Sequence, residues 1–304
     1  RAFGASVQTE SNTEAILQLF LRHQPKLLGS PETRSMMETL AEQFAREIEA
    51  SPDLVLALNN LDRFVRGLGS RRFYYELLFD RPELVGRLAS LFAGSRFLSA
   101  LLAQHPRLIE PLFSDPNVLL LARDQLRADL ASIRRELGPA DEPDFERDLD
   151  ALRLFHQRQV LNVGLLEISR AACETALTEI AEVALEFALA VAQREVARTR
   201  APGASAAPAR FLVVGMGKLA SRELSYGSDL DLIFLYDLPD VAAADAPFAQ
   251  ESCVRVAQRL ISALETPTAN GACYEIDSRL RPSGKQGTLV TPIAGLRHHY
   301  QTLA

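Results

Sequence analysis

The sequence has 304 residues, of which 47% are hydrophobic and 24% charged. The composition is typical of a globular protein, and the length exceeds what one hydrophobic core usually serves, so two or three domains are expected. The formal net charge of −6 argues against a general nucleic-acid binder. No apolar run reaches the roughly 18 residues of a membrane-spanning helix, which argues against an integral membrane protein.

The chain begins at Arg1 with neither a start methionine nor a signal peptide. This predicts a cytoplasmic protein and indicates a piece of a longer chain. The three cysteines, Cys173, Cys253 and Cys273, show no metal-ligand spacing, and their odd number argues against a disulfide framework. We therefore predict buried, reduced thiols.

From residue 11 to about 200 the chain has the pattern of helices, because apolar residues recur at spacings of three and four. A short polar cap next to a proline predicts helix starts at 30–32, 51–53 and 114–116. Gly69 and Gly94, each followed by serine, predict a helix end and a new cap.

The two longest helices are predicted at 143–171 and 174–198. We assign 1–113 to a helical connector or regulatory region. The long helices, within 114–200, are expected to pack on a catalytic domain that follows them in the chain.

Residues 201–209 are small, uncharged and include prolines, which predicts a linker. After the linker, the spacing of apolar residues changes. Short apolar runs predict strands at 211–214, 230–236 and 272–276, and helical spacing returns at 248–264 and 292–303. The predicted fold class is therefore α+β, with a large all-helical region followed by a small α/β domain at 210–304.

Two aspartates lie at the start of the second predicted strand, in the sequence Gly227-Ser228-Asp229-Leu230-Asp231. Alternate side chains of a strand share a face, so Asp229 and Asp231 are expected to lie side by side. Neighbouring carboxylates repel unless cations neutralise them, and oxygen ligands suit Mg²⁺ or Mn²⁺. Gly227 and Ser228 can offer backbone amides and a hydroxyl to phosphate. The alternative is a solvated strand face without function.

A third carboxylate, Asp277, follows the apolar segment 272–276. Two-metal phosphoryl chemistry uses acidic groups that hold two ions about 3.5–4 Å apart. Arg279, Arg281 and Lys285 come next, and an arginine fork binds phosphate through two parallel hydrogen bonds. The pattern predicts a triphosphate site beside the carboxylates. The alternative is that these arginines only neutralise nearby acids.

These motifs resemble the glutamine synthetase adenylyltransferase family, part of the DNA-polymerase-β-like nucleotidyltransferase superfamily. Family members have one domain that attaches AMP and another that removes it. The motifs at 226–237 and 274–284 look more like the attaching domain. The resemblance spans most of 51–304 and is most specific from Phe211 onward. One departure is Ala220-Ser221, which stands where the family usually has two glycines.

The resemblance implies a polymerase-β-like fold for 210–304 and transfer of AMP from ATP to a tyrosine of glutamine synthetase. It also implies two Mg²⁺ or Mn²⁺ ions, bound by the carboxylates. For Lys218, a solvated lysine in a glycine turn is an equal alternative. The implied site residues are the catalytic and metal-binding Asp229, Asp231 and Asp277, and the nucleotide- or phosphate-binding Gly227, Ser228, Arg279, Arg281 and Lys218.

Other functions are also open. The domain could remove AMP by phosphorolysis, or act on another acceptor such as an antibiotic or RNA, although the net charge disfavours RNA. The helical region could instead serve mainly to bind and regulate, by docking glutamine synthetase or a PII-type signal protein. The resemblance implies glutamine synthetase as protein substrate, and PII and glutamine as effectors. No nucleic-acid or membrane partner is expected.

Overall fold

The computed structural model describes residues 12–23, 30–110, 121–139, 142–168, 173, 175–199, 209–239, 241, 244–281 and 287–303. The chain divides into two compact units, one drawn from Arg1–Leu120 and Leu161–Cys173, the other from Leu121–Val160 and Glu174–Ala304. Three predicted features lie outside the described residues: the linker 201–209 apart from residue 209, the cap at 114–116, and Lys285.

The first unit is helical in its described residues. It contains α1 Asn12–His23, α2 Pro31–Glu49, α3 Leu54–Leu68, α4 Arg72–Asp80, α5 Pro82–Gly94, α6 Arg96–Gln104 and a short 3-10 helix Pro106–Ile109. Helix α3 illustrates why these segments fold as helices. Its buried residues include Ala57, Leu61, Phe64 and Leu68, and their spacing of three and four forms one apolar stripe.

Helix starts in this unit follow the predicted caps. Ser30 and Ser95 each accept a hydrogen bond from the backbone N–H three residues later, at 3.2 Å in both cases. In the 51–53 motif the capping side chain is Asp53, whose Oδ1 accepts from a backbone N–H at 2.9 Å. Gly69 ends α3 with a φ of +59°, which glycine adopts without strain.

The second unit combines helices with a small sheet. Its elements are α7 Arg123–Glu136, α8 Phe145–Ile168, α9 Ala176–Arg198, β1 Arg210–Gly215, α10 Gly217–Ser221, β2 Leu230–Asp237, α11 Ala246–Glu265, β3 Ile276–Asp277, β4 Val290–Pro292 and α12 Ile293–Leu303. Residues of α8 from Leu161 onward belong to the first unit. Helices α8 and α9 confirm the two longest predicted helices. Among the described helices, none is both long and apolar enough to cross a membrane.

The sheet is mixed and built around β2. Strand β1 pairs antiparallel with β2, while β3 and β4 each pair parallel with it. All residues of β2 between its two aspartates at 231 and 237 are buried, which explains why this strand reads as a continuous apolar run. Helical segments plus this sheet confirm the α+β fold class.

The strand and cysteine predictions have mixed outcomes. The runs 211–214 and 230–236 correspond to β1 and β2, and helix 248–264 corresponds to α11. The run 272–276 contributes only its last residue to the two-residue β3, and β4 was not predicted. All three cysteines are free and buried, which confirms the prediction of buried thiols.

Candidate active site

Strand β2 carries two aspartates at its amino-terminal end. Leu230, between them, is completely buried, whereas Asp229 is exposed and Asp231 is half-buried. Burial therefore alternates along this part of the chain, as it does where successive side chains point to opposite faces of a strand. Asp229 and Asp231 thus lie on the side of β2 opposite to Leu230.

Strand β3 brings a third aspartate alongside. It runs parallel to β2, with Leu230 opposite Ile276 and Asp231 opposite Asp277. The Leu230 N–H donates to the Glu275 carbonyl at 2.9 Å, which continues the pairing before β3 begins. Two residues far apart in the chain, Asp231 and Asp277, are therefore neighbours across the sheet.

The electrostatics of Asp231 reflect this arrangement. Burial raises the pKa of Asp231 above the ordinary aspartate value, and the negative charges of Asp229 and Asp277 raise it further, while Arg279 lowers it. Mutual repulsion of this kind is relieved by a bound cation. Because all the donors are carboxylate oxygens, the set fits a hard divalent cation such as Mg²⁺ or Mn²⁺.

In the structure, the cation beside these acids is Arg279. Its backbone N–H donates to Asp277 Oδ1 at 2.8 Å, its Nε donates to Oδ1 at 2.9 Å and to Oδ2 at 2.7 Å, and its Nη2 also contacts Oδ2. In the part of the chain that the structure describes, no group of three or more His, Cys, Asp or Glu side chains is arranged to hold a metal. Because Arg279 contacts both carboxylate oxygens of Asp277, a metal bound through Asp277 would compete with the guanidinium for them.

Gly217 packs directly against the carboxylate of Asp231. A Cβ placed at residue 217 would lie 2.3 Å from Asp231 Oδ2, and the φ of Gly217 is +50°. The preceding Met216 N–H donates to the Asp231 carbonyl at 2.8 Å, so the turn is tied to β2. Only glycine satisfies both the space and the backbone conformation. The sequence prediction omitted Gly217, although the Gly215-x-Gly217 pattern before Lys218 was a usable signal.

The turn before β2 depends on Gly227 and Ser228. Gly227 has a φ of +71° and open space around its Cα, so the backbone conformation, rather than crowding, requires glycine there. The hydroxyl of Ser228 accepts from the Ser225 N–H at 3.1 Å and lies 2.9 Å from the Ser225 hydroxyl. The serine hydroxyl therefore stabilises the turn that leads into the aspartates.

The two remaining predicted cations differ in their surroundings. Lys218 is exposed on α10. Arg281 is directed to its own loop, where its Nη1 donates to the Ser278 carbonyl at 2.6 Å and to the Ser278 hydroxyl at 2.9 Å. Its Nε donates to the Gly287 carbonyl at 3.3 Å. The Arg279 side chain therefore binds Asp277, whereas the Arg281 side chain binds backbone carbonyls of the loop that follows Asp277.

Comparison with models of protein families matches most of the chain. A family model described as glutamate-ammonia ligase adenylyltransferase matches residues 85–304, which is more than half of the chain. The matched segment contains every candidate site residue described above. It also contains all the helices from α6 onward and the whole mixed sheet.

Proposed function

Because this chain belongs to the glutamate-ammonia ligase adenylyltransferase family, we propose that it transfers AMP from ATP to a tyrosine side chain of glutamine synthetase. The observation that carries the proposal is the parallel register of β2 and β3. In this register Asp231 is opposite Asp277, and Asp229 lies two residues before Asp231 in the chain. A set of carboxylates on adjacent strands is the arrangement used for two-metal phosphoryl transfer.

In this proposal the carboxylates of Asp229, Asp231 and Asp277 hold two divalent cations, Mg²⁺ or Mn²⁺. Bound there, the cations offset phosphate charge and lower the pKa of the attacking tyrosine hydroxyl, which is about 10 when unperturbed. The raised pKa of Asp231 supports this assignment, because burial and then the negative charges of Asp229 and Asp277 disfavour its ionised form, and a bound cation would favour that form.

The positively charged residues bind the triphosphate in this proposal. Arg279 exchanges its contact with Asp277 for phosphate oxygens when nucleotide and cation enter together. A guanidinium is suited to both partners, because its planar fork matches carboxylate and phosphate alike. Lys218, exposed beside the glycine turn, adds a second positive charge. Arg281 holds the loop through Ser278 and adds charge to the site.

Two glycines let the backbone approach the nucleotide. The absence of a side chain at Gly217 leaves the carboxylate of Asp231 accessible on that side. Gly227 and Ser228 present the turn before β2, whose amides can receive phosphate oxygens. As the family implies for glutamine synthetase adenylyltransferases, we further propose a cytoplasmic enzyme whose helical region responds to a PII-type signal protein and to glutamine.

The proposal predicts labelling of glutamine synthetase by this chain. With Mg²⁺ and ATP labelled at the α-phosphate, label is expected on a tyrosine of the synthetase. The Asp229→Asn, Asp231→Asn double variant should react at least about 100-fold more slowly, since lost metal binding costs several kcal/mol in the transition state. The matched control is Asp124→Asn. The Asp124 side chain is 92% exposed, and Asp124 lies far from the candidate site residues in the sequence.

Each outcome separates one part of the proposal from another. Equal labelling by the double variant and the control would contradict the carboxylate assignment. Release of ADP from adenylylated synthetase in the presence of phosphate, without forward labelling, would identify the removing reaction instead. Absence of label from the unmodified chain would contradict the proposed acceptor.

A further inference from the structure

Arg153 of α8 is completely buried, and its guanidinium donates hydrogen bonds to backbone carbonyls rather than to a carboxylate. A guanidinium has five N–H donors. Here those donors meet five backbone carbonyls, those of Leu149, Ala263, Leu264, Thr266 and Gly271. Four of the five acceptors belong to the end of α11 and to the turn after it, residues 266–271, which we call the α11 turn.

Two of these bonds cap α11. The helix ends at residue 265, so the carbonyls of Ala263 and Leu264 lie in its last turn, where intrahelical partners run out. Arg153 Nη1 donates to the Ala263 carbonyl at 2.7 Å, and Nη2 donates to the Leu264 carbonyl at 3.4 Å. The positive charge of Arg153 also interacts favourably with the negative, carboxyl-terminal end of the helix dipole.

Two other side chains on α8 bind the same turn. Asp150 Oδ1 accepts from the Thr268 hydroxyl at 2.7 Å and from Asn270 Nδ2 at 2.8 Å. Gln157 Nε2 donates to the Asn270 carbonyl at 2.6 Å. Residues three and four apart share a helix face, so Asp150, Arg153 and Gln157 form one continuous surface, which we call the α8 clamp.

The clamped segment leads directly into β3. The N–H groups of Cys273 and Tyr274 both donate to the Leu264 carbonyl, at 3.0 and 3.3 Å, the same carbonyl that Arg153 binds. Strand β3 has only two residues and two register pairs with β2. So short a ladder fixes a strand weakly, and the position of Asp277 depends on what holds the chain before it.

We propose that the α8 clamp positions Asp277 against Asp231 and thereby sets the cation affinity of the site. The proposal rests on the metal-binding role of Asp277 proposed above. Arg153 is a positioning residue, since its hydrogen bonds go to backbone carbonyls of α8, α11 and the α11 turn rather than to an acid of the site. A functional carboxylate must be held within about 0.5 Å of its working geometry, and outer groups that orient ligands supply that restraint.

The test measures binding of Mn²⁺ together with α,β-methylene-ATP by calorimetry, on the full chain. Arg153→Lys keeps the charge but offers three donors for five carbonyls, and Gln157→Leu removes one bond to the α11 turn. Each is expected to raise the Mn²⁺ dissociation constant about 10-fold, the lower end of the usual effect of an outer-shell change. Amide hydrogen exchange at 266–277 should also become faster.

Two comparisons make the result specific to the clamp. Arg158→Lys alters another α8 arginine, which pairs with Asp129 of α7 at 2.9 Å rather than with the α11 turn, and it should leave Mn²⁺ affinity unchanged. In an Asp277→Asn background, Gln157→Leu should cause no further loss of affinity, because the ligand it positions is already gone.

The outcomes distinguish this inference from the proposed function. If Asp277→Asn binds Mn²⁺ as tightly as the unmodified chain, the metal assignment itself fails. If Asp277→Asn weakens binding while folded Arg153→Lys and Gln157→Leu chains do not, the clamp proposal is overturned. It is also overturned if Arg158→Lys weakens binding equally. Should Arg153→Lys fail to fold, Gln157→Leu alone decides.

Discussion

At the residue scale, two arginine side chains use the same chemical group, the guanidinium, for different purposes. Arg279 is exposed and holds a carboxylate, Asp277, through its planar fork. Arg153 is completely buried and holds only carbonyls. Water can replace the contacts that the exposed Arg279 side chain loses when its ion pair breaks, whereas removal of the buried Arg153 guanidinium would leave several carbonyls without a partner. Exchange of partners is therefore expected at Arg279 and not at Arg153.

The first prediction concerns Arg279→Gln. Without nucleotide, this change should tighten Mn²⁺ binding by about two- to fivefold, because Asp277 loses a weak competing ion pair. With nucleotide, the KM for ATP should rise, because a phosphate ligand is lost. Calorimetry without nucleotide and steady-state kinetics measure the two effects. An unchanged KM, or weaker metal binding without nucleotide, would contradict the proposed exchange.

The second prediction concerns His156, whose ring packs on Tyr274 with centroids 4.5 Å apart. Burial, together with the nearby positive charge of Arg153, lowers the pKa of His156 to about 4. In the unfolded chain the pKa is about 6.5. Between these values the unfolded state binds more protons, so stability falls as pH is lowered from 6.5 towards 4 and is unaffected by this residue above 6.5.

The test compares the unmodified chain with His156→Phe, which keeps an aromatic ring against Tyr274. Between pH 7 and pH 5, the unmodified chain should lose up to about 2 kcal/mol more unfolding free energy than the variant. Urea unfolding at both pH values measures this difference, and the other titrating groups cancel because both chains contain them. The same pH dependence in both chains would show that His156 does not titrate abnormally.

At the element scale, close helix packing in the first unit depends on glycine. A Cβ added at Gly67 of α3 would lie 2.0 Å from the carbonyl oxygen of Ala103 in α6. Real side chains do not approach a backbone so closely, so the two helices would have to separate. By contrast, a Cβ at Gly94 would lie 3.9 Å from its nearest neighbour, the side chain of Ile168, which is an ordinary contact.

The third prediction uses these two glycines as a matched pair. Gly67→Ala should destabilise the chain by about 1–3 kcal/mol through overpacking. Gly94→Ala should be neutral or stabilise by up to about 1 kcal/mol, because alanine favours the helix. Urea unfolding of both variants measures the contrast. Equal effects of the two substitutions would contradict the packing argument.

Helices α7, α8 and α9 meet at one buried charge. Asp148 of α8 is 1% exposed, accepts from Arg134 Nε of α7 at 2.5 Å, and also pairs with Arg194 of α9. Removal of one member of a buried group of charges leaves the others uncompensated. The Asp148 carboxylate therefore fixes the arrangement of the three helices.

The fourth prediction is that Asp148→Asn lowers the free energy of unfolding by about 3–5 kcal/mol. Asp124→Asn serves as the control, because Asp124 also pairs with an arginine but is 92% exposed. A surface pair of that kind contributes about 0–1 kcal/mol. Denaturant titration of both variants measures the difference. Similar losses of unfolding free energy in the two variants would show that Asp148 does not fix the arrangement of the three helices.

At the scale of the whole molecule, the chain forms two compact units, and every candidate site residue lies in the second. The first unit has its own apolar core, including Phe44, Phe64 and Phe92. Separate cores allow each unit to keep its structure when the other is modestly strained. Helix α8 contributes residues to both units, and its amino-terminal part carries the clamp on the α11 turn.

The fifth prediction concerns the separation of the two units. Gly67→Ala, which strains the first unit, should leave binding of Mn²⁺ with α,β-methylene-ATP unchanged at temperatures where the chain is folded. Calorimetry at about 20 °C below the melting temperature of the variant is the measurement. Loss of binding in the folded variant would show that the packing of the first unit controls the site.

Patterns of neighbouring residues in the sequence predicted many of the helices, strands and caps of this protein. Helices α8 and α9, strands β1 and β2, and the serine caps at Ser30 and Ser95 each follow from residues close together in the chain. These features depend on helix and strand periodicity and on hydrogen bonds three residues away, which spacing reveals directly. The family was also predicted, because its motifs are short and contiguous.

The sequence by itself therefore determined the α+β class, the family and the contiguous motif that contains Asp229 and Asp231. Only the tertiary structure decided that Asp277 pairs with Asp231 and binds Arg279, and that Arg153 reaches Gly271 across 118 residues. The physical reason is that such contacts arise when distant elements pack. No spacing of residues in the sequence predicts that a buried arginine will bind distant carbonyls. A strand of two residues is also too short to show the alternation of apolar and polar residues by which strands are predicted.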